Sequence, residues 1–235
     1  MIRHFRQLLD KNPWRQLDVG SGHLVHPIDR SAFEDFNVRH AAKGPKFQLR
    51  EDSIPEPFVG NLATAKVVIL LLNPGHVDID LEWQRHPEYR KLHLANLRQD
   101  ESADLTFYPL APQFSGAASH QWWKRRFASL IEDGVTIESL SRSVAMLEWV
   151  PYHSVAYAGG SQPSFPTQNF TIEMVETLSR DVHRKFVIFR AKKVWNRYLS
   201  QTCKPLMVSN PRNPTLSRAN IGNQEYAQIL GLLRA

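Results

Sequence analysis

With 235 residues, 42% of them hydrophobic and 22% charged, the chain can bury a sizeable core and fits one large α/β domain, which excludes the disordered class. The net charge of +6 should draw polyanions toward the surface, although basic charge alone does not select nucleic acid. Cys203, the single cysteine, excludes an internal disulfide and a four-Cys metal cluster and suits a reducing cytoplasm. No apolar run approaches the roughly 18 residues that a membrane span requires. The opening MIRHFRQLLDKNPW is basic and amphipathic without a signal-peptide apolar region.

Arg3 to Leu9 reads as a short helix ended near Asn12-Pro13. From Trp14 to Gly60 the pattern is irregular, punctuated by SGHLVHP, AAKGPK and SIPEPFVGN, and reads as a lid or wrapping segment. Its Pro55-Glu56-Pro57-Phe58 piece either lies against the mouth of a site or serves as an extended connector. Six unbroken apolar residues, Val67 to Leu72, then run into Asn73-Pro74-Gly75-His76. Such a run, closed by Pro and Gly, reads as a strand buried on both faces, with a ligand edge at its carboxyl end.

Beyond Pro87, the residues Tyr89, Leu92, Leu94 and Leu97 fall at helical spacing. Leu105 to Pro112 is a Pro-broken loop carrying Phe107 and Tyr108. His120 to Glu132 reads as one amphipathic helix whose Trp123, Phe127 and Leu130 face the core, with Lys124, Arg125 and Arg126 on another side. Three more strands are expected: Val144 to Val150, interrupted by Glu148 and leading to His153; Lys185 to Phe189; and Leu206 to Ser209, leading into Asn210-Pro211-Arg212-Asn213-Pro214. Helices are expected at Thr171 to Arg184, Lys192 to Leu199 and Asn223 to Leu233, the last capped by Asn220 or Asn223. This alternation predicts a three-layer α/β/α fold in one domain, residues 1–235, around a parallel sheet of about four strands, with residues 1–60 as an N-terminal helix and wrapping segment.

Three of those strand ends, sharing one sheet edge, would bring together Asn73 and His76, Glu148 and His153, and Asn210, Arg212 and Asn213. Asn73 can orient a water but, with no pKa near 7, is a poor general base, so a reaction it serves must be driven by the leaving group. Excision of a damaged base fits this demand: an oxocarbenium-like sugar forms as the base departs with negative charge. The base must first be flipped into a tight pocket, with an aromatic platform beside it and a wedge in the vacated stack.

LLLNPGH resembles the first motif of the uracil-DNA glycosylase superfamily, above all its single-strand-selective and mismatch-specific branches, and SNPRNPTLS resembles the second motif. The resemblance, with four strands in order, runs from about Pro57 to Ile221. It implies a uracil-DNA glycosylase-like fold and a monofunctional DNA glycosylase active in base excision repair. By position, Asn73 resembles the water-positioning residue. Gly75 stands where the main uracil-excising class has a Tyr that excludes thymine, which implies a roomier pocket, and His76 falls where that class also has His. Phe107 or Tyr108 resembles the aromatic on which the base stacks, Leu216 the wedge, and Arg212 a phosphate or minor-groove contact, with Asn213 and Ser217 on the same DNA-binding segment.

Two departures stand out. The second motif usually opens with a His that stabilises the departing base. Aligning on Pro-Arg-Asn-Pro puts Val208 there, whereas aligning on Asn-Pro gives Asn210, which is preferred because Val cannot donate a hydrogen bond. Glu148 aligns with the Asn that reads the base edge, so either burial keeps it protonated or the preferred base is not uracil. An ion pair with Arg190 or a nearby His is the structural alternative. His153 is grouped with Glu148 among the base-binding candidates. No cofactor and no metal are expected. The expected partner is DNA, single- or double-stranded and including damaged DNA, with no membrane contact and a cytoplasmic monomer as the working form. The competing readings are a catalytically inactive nucleic-acid or nucleotide-binding module of the same fold and an unrelated small-molecule hydrolase using Glu148 and His153.

Overall fold

The computed structural model describes residues 2–20, 22–158 and 165–234. In chain order its main elements are α1 (Ile2–Asp10), α2 (Arg30–His40), β1 (Phe58–Val59), β2 (Val67–Leu70), α3 (Ile79–Arg85), α4 (Pro87–Arg98), α5 (Ala118–Arg126), α6 (Ala128–Glu132), α7 (Ile137–Ser143), β3 (Val144–Leu147), α8 (Gln168–Leu178), β4 (Lys185–Ile188), α9 (Lys192–Trp195), β5 (Leu206–Met207), α10 (Arg218–Ile221) and α11 (Asn223–Arg234). The five strands form one sheet in the order β1-β3-β2-β4-β5. β2, β3, β4 and β5 run parallel, and β1 adds an antiparallel edge against β3.

Why these runs become strands buried on both faces is visible in their alternation. Val68 and Leu70 of β2, Ala145 and Leu147 of β3, and Phe186 and Ile188 of β4 enter one core cluster. Val67 and Ile69, Val144 and Met146, and Val187 enter the other. Period-two side chains thus need apolar cover on each side, and a continuous apolar run supplies it. Fully burying one such side chain contributes about 1.5–3 kcal/mol. The first cluster is closed by α1, α2, α8 and α9 through Leu8, Phe33, Phe36, Met174 and Trp195. The second is closed by α5, α7 and α11 through Trp123, Leu140, Tyr226 and Ile229. The result is an α/β fold with helices over both faces of a mostly parallel sheet, as the alternation of elements predicts.

Several expectations need correction. The sheet has a fifth strand, β1, because Phe58 and Val59 pair with Leu147 and Met146. The stretch before it, read as a lid or wrapping segment, contains the helix α2 and packs on the sheet: Phe33 and Phe36 of α2 and the buried Trp14, Leu49 and Ile54 belong to the first core cluster. The expected helix His120 to Glu132 is two helices, since Phe127 leaves helical geometry with φ −102° and ψ 5° between α5 and α6.

Connectivity fixes where a ligand can enter. The chain leaves β2 for helices on the second face, returns as β3 beside it, then crosses by α8 on the first face to β4 on the far side of β2. The carboxyl ends of β2 and β3 therefore diverge to opposite faces and leave a crevice, the usual ligand position in open α/β sheets.

Candidate active site

A cavity of about 510 Å³ occupies that crevice, within the range of small-molecule sites. Its walls come from the turn after β2 (Leu71 to Val77), the segment after β3 (Glu148 and His153 to Tyr157), Arg190 after β4, Glu56 before β1, and Trp122 and Trp123 of α5. Backbone pairing continues past the strands to make its floor, with Leu71 N–H donating to Leu147 C=O at 2.9 Å and Val150 N–H to Leu72 C=O at 2.8 Å.

Asn73 is held in one orientation. Its Nδ2 donates to Ser154 Oγ at 2.8 Å and to Pro74 C=O at 3.1 Å, so the amide oxygen is the end left to accept from a water. Gly75 pairs with Ser154 as a parallel bridge, and a Cβ added to it would meet nothing within 4 Å. The space at that position is open, as a roomy pocket requires. His76 is buried, its Nδ1 lies 3.4 Å from Ser53 Oγ, and its Nε2 has no hydrogen-bond partner among the described residues.

Glu148 is the least compensated group in the cavity. It continues the β3 alternation onto the second face after Val144 and Met146. It is only 5% exposed, and its Oε2 is buried with no hydrogen-bond partner among the described residues. Burial, with the nearby Glu56 charge adding to it, raises its pKa well above the ordinary carboxylate range, against a smaller opposing pull from Arg190. No ion pair joins Glu148 to Arg190 or to a His among the described residues, so the structural alternative for this residue is not realised.

Glu56 is the site residue that the sequence most obscured. The Glu148 N–H donates to Pro57 C=O at 2.8 Å, and the Glu56 N–H to Pro151 C=O at 2.8 Å. The antiparallel edge strand thus carries a second carboxyl to the same cavity, and the Pro55–Phe58 piece does lie against the site. Tyr108 Oη donates to Glu56 Oε2 at 2.7 Å. Burial nonetheless pushes the Glu56 pKa up to about 7, with Tyr108 lowering it and Asp80 raising it. On its other side His93 Nε2 stands 3.8 Å from Glu56 Oε2. Burial drives the His93 pKa down to about 3, so this imidazole is neutral and brings no compensating charge.

Other expected site residues take different places. His153 lines the cavity, but both ring nitrogens face backbone carbonyls, Nδ1 at 2.7 Å from Gly75 and Nε2 at 3.0 Å from Ile54. It ties the β2 turn to the segment before β1 and has no free nitrogen for a base edge. Phe107 and Tyr108 are fully buried outside the cavity wall. Phe107 packs edge-on against Trp123 at 4.7 Å. The aromatic surface in the cavity comes instead from Trp122, Trp123, Tyr89 and Tyr157.

The second motif is displaced from the cavity. Asn210 is exposed and does not line it; its Oδ1 accepts from the backbone N–H groups of Arg212 and Asn213, each at 3.2 Å. The reason is topological. β5 lies two strands from β2 in the sheet, roughly 10 Å away at ordinary strand spacing. Val208 is buried, and Leu216 is fully buried in the second core cluster, unavailable as a wedge in this conformation. Arg212 is exposed, and Ser217 Oγ is 3.0 Å from Thr215 Oγ1. Asn220 fastens this loop by donating to Asn213 C=O and Thr215 Oγ1 and accepting from Asn210 N–H. Arg126 joins the loop to the cavity wall: its Nη1 donates to Asn213 Oδ1 at 3.1 Å, its C=O accepts from Leu216 N–H at 2.9 Å, and its guanidinium lies 4.3 Å over the ring of Trp122.

Among the described residues no helix is long and apolar enough to cross a membrane. Compared with known proteins, the chain matches no family model, no curated protein and no solved structure.

Proposed function

We propose that the chain is a monofunctional DNA glycosylase of the uracil-DNA glycosylase fold, taking a flipped deaminated or modified base into the cavity and hydrolysing its N-glycosidic bond. The observation that carries this reading is the convergence of Asn73 and Glu148 on one chamber at the β2–β3 crevice. The fixed amide of Asn73 leaves an oxygen acceptor for the attacking water. The open space at Gly75 admits a substituted base, and Trp122 offers a face on which a base can stack. Arg190 on the wall and Arg126 behind Trp122 put positive charge beside the entrance, where the flanking phosphates of a flipped nucleotide would pass.

Oligonucleotides carrying uracil, hypoxanthine, xanthine or modified pyrimidines, treated with alkali after incubation, report abasic sites directly. The expected outcome is strand breakage with at least one of them, reduced roughly 10²–10³-fold by Asn73→Ala, the scale of losing one positioned polar group. No abasic site with any of these bases counts against catalysis.

A second reading is a nucleic-acid-binding module without catalysis, favoured by the position of Asn210 outside the cavity. It predicts DNA binding that survives Asn73→Ala together with no bond cleavage at any protein concentration.

A further inference from the structure

A departing base needs its developing negative charge neutralised, and the second motif does not provide for this: Asn210 spends its oxygen on its own turn and stands off the cavity. The cavity holds instead two carboxyl groups, Glu56 and Glu148. Glu148 Oε2 is buried in the wall without a hydrogen-bond partner among the described residues, and such an atom costs free energy unless a ligand completes it. Two carboxyl groups lining one cavity, with Glu148 buried and exposed to the Glu56 charge, cannot both ionise cheaply, the condition under which one remains a proton donor at neutral pH.

Resting on the glycosylase reading, we infer that Glu148 is the catalytic acid that protonates the departing base, with Glu56 as the positioning residue that keeps the proton on it. The C1′–N bond breaks and its electron pair moves into the base. The Glu148 proton goes to a ring nitrogen or exocyclic oxygen, so that the base leaves neutral. Glu148 is left as a carboxylate facing Arg190, the one charged group that favours its ionised form. Water oriented by Asn73 adds its oxygen to C1′ and sheds a proton to solvent, from which Glu148 is reprotonated.

The charged and titratable groups around the pair come from every neighbouring element. Arg190 follows β4, Asp80 lies in α3, His76 follows β2, His153 follows β3, and His93 and Tyr108 stand behind Glu56. Burial holds both carboxyl pKa values up, with Asp80 adding to it at Glu56 and the Glu56 charge adding to it at Glu148. The acid is thus present below the pKa of the pair and lost above it.

The test uses the full chain and compares each excised base with its fluorinated analogue, 5-fluorouracil for uracil and 2-fluorohypoxanthine for hypoxanthine, which departs more readily without a proton. Glu148→Gln preserves volume but cannot give up a proton. It is expected to slow excision of the parent base about 10²–10⁴-fold, to slow the fluorinated base much less, and to abolish the fall in rate with rising pH. Glu56→Gln is expected to move that fall to lower pH, because the repelling charge is gone; it also serves should Glu148→Gln fail to fold. Equal loss on parent and fluorinated bases with an unchanged pH profile, or an unshifted profile in Glu56→Gln, overturns the assignment while leaving the glycosylase reading intact. If the wild-type protein releases no base at all, that reading falls and the assignment with it.

Discussion

Asn73 makes its shorter hydrogen bond to a single side chain. Ser154 Oγ accepts from Asn73 Nδ2 at 2.8 Å, and Ser154 is itself buried beside Gly75. Without that hydroxyl, the amide retains only the Pro74 carbonyl at 3.1 Å, which keeps Nδ2 as the donor but anchors the side chain less tightly. Ser154→Ala is therefore expected to lower kcat roughly tenfold, about 1.4 kcal/mol of barrier, while the loss of one hydrogen bond costs only about 1 kcal/mol of stability. Excision kinetics set beside a thermal melt check this; a normal kcat would mean that Asn73 needs no such anchor. At this scale the sequence shows what interrupts an apolar run. Asn73 ends one and Glu148 breaks another, so both stand out. Glu56 and Arg190 do not, because nothing local marks a charged residue that long-range pairing will bury.

At the scale of elements, the short edge strand matters most to the site, since β1 delivers Glu56. Its end is fixed by Gly60, whose φ is +91° and whose added Cβ would lie 2.4 Å from the Val144 carbonyl oxygen. The nearest atoms, the Val144 carbonyl oxygen and Ala145 Cα, are backbone of β3 and leave little room to adjust, and the left-handed conformation adds strain to any L side chain. Gly60→Ala is expected to destabilise the fold by about 1–3 kcal/mol and to displace β1 from β3, measured as a lower denaturation midpoint together with faster amide exchange at Glu148, whose N–H is bonded to Pro57. An unchanged midpoint would show that the edge can shift without cost. Three of the parallel strands, β2, β3 and β4, are legible because each is a run of apolar residues needing cover on both faces, and β5, with Met207 exposed, is legible as a short apolar run before Asn210-Pro211. β1 is not, since two residues between Pro57 and Gly60 carry no period. α2 escapes for a related reason: Phe33 and Phe36 give only one helical repeat amid charge. The wedge and stacking roles drawn from the resemblance fail at Leu216 and Phe107, because short motifs do not say which side chains the sheet's helical cover will absorb.

For the molecule as a whole, the buried acid pair links the site to stability. Glu56 has a folded pKa of about 7 against an ordinary value of 4.5, and burial raises Glu148 well above the ordinary carboxylate range as well. The folded protein thus binds protons more tightly than the unfolded chain. Stability from this source is fully present below pH 4.5 and is lost progressively as pH rises toward 7 and beyond, a sign opposite to that of salt-bridged carboxylates. The Glu56 shift alone corresponds to a loss on the order of 3 kcal/mol, a sizeable part of a typical folding free energy of about 5–15 kcal/mol. Wild-type protein should therefore melt at progressively lower temperature from pH 5.5 to pH 8.5. Glu56→Gln, whose amide oxygen can still accept from Tyr108, should melt with a flatter dependence and exceed wild type at the alkaline end. Parallel melting curves across that range would mean that Glu56 ionises freely, which would remove its part in keeping the proton on Glu148. A flattened curve would tie the fold's alkaline weakness to the group that holds the proton on Glu148, so that stability and chemistry draw on one buried charge conflict.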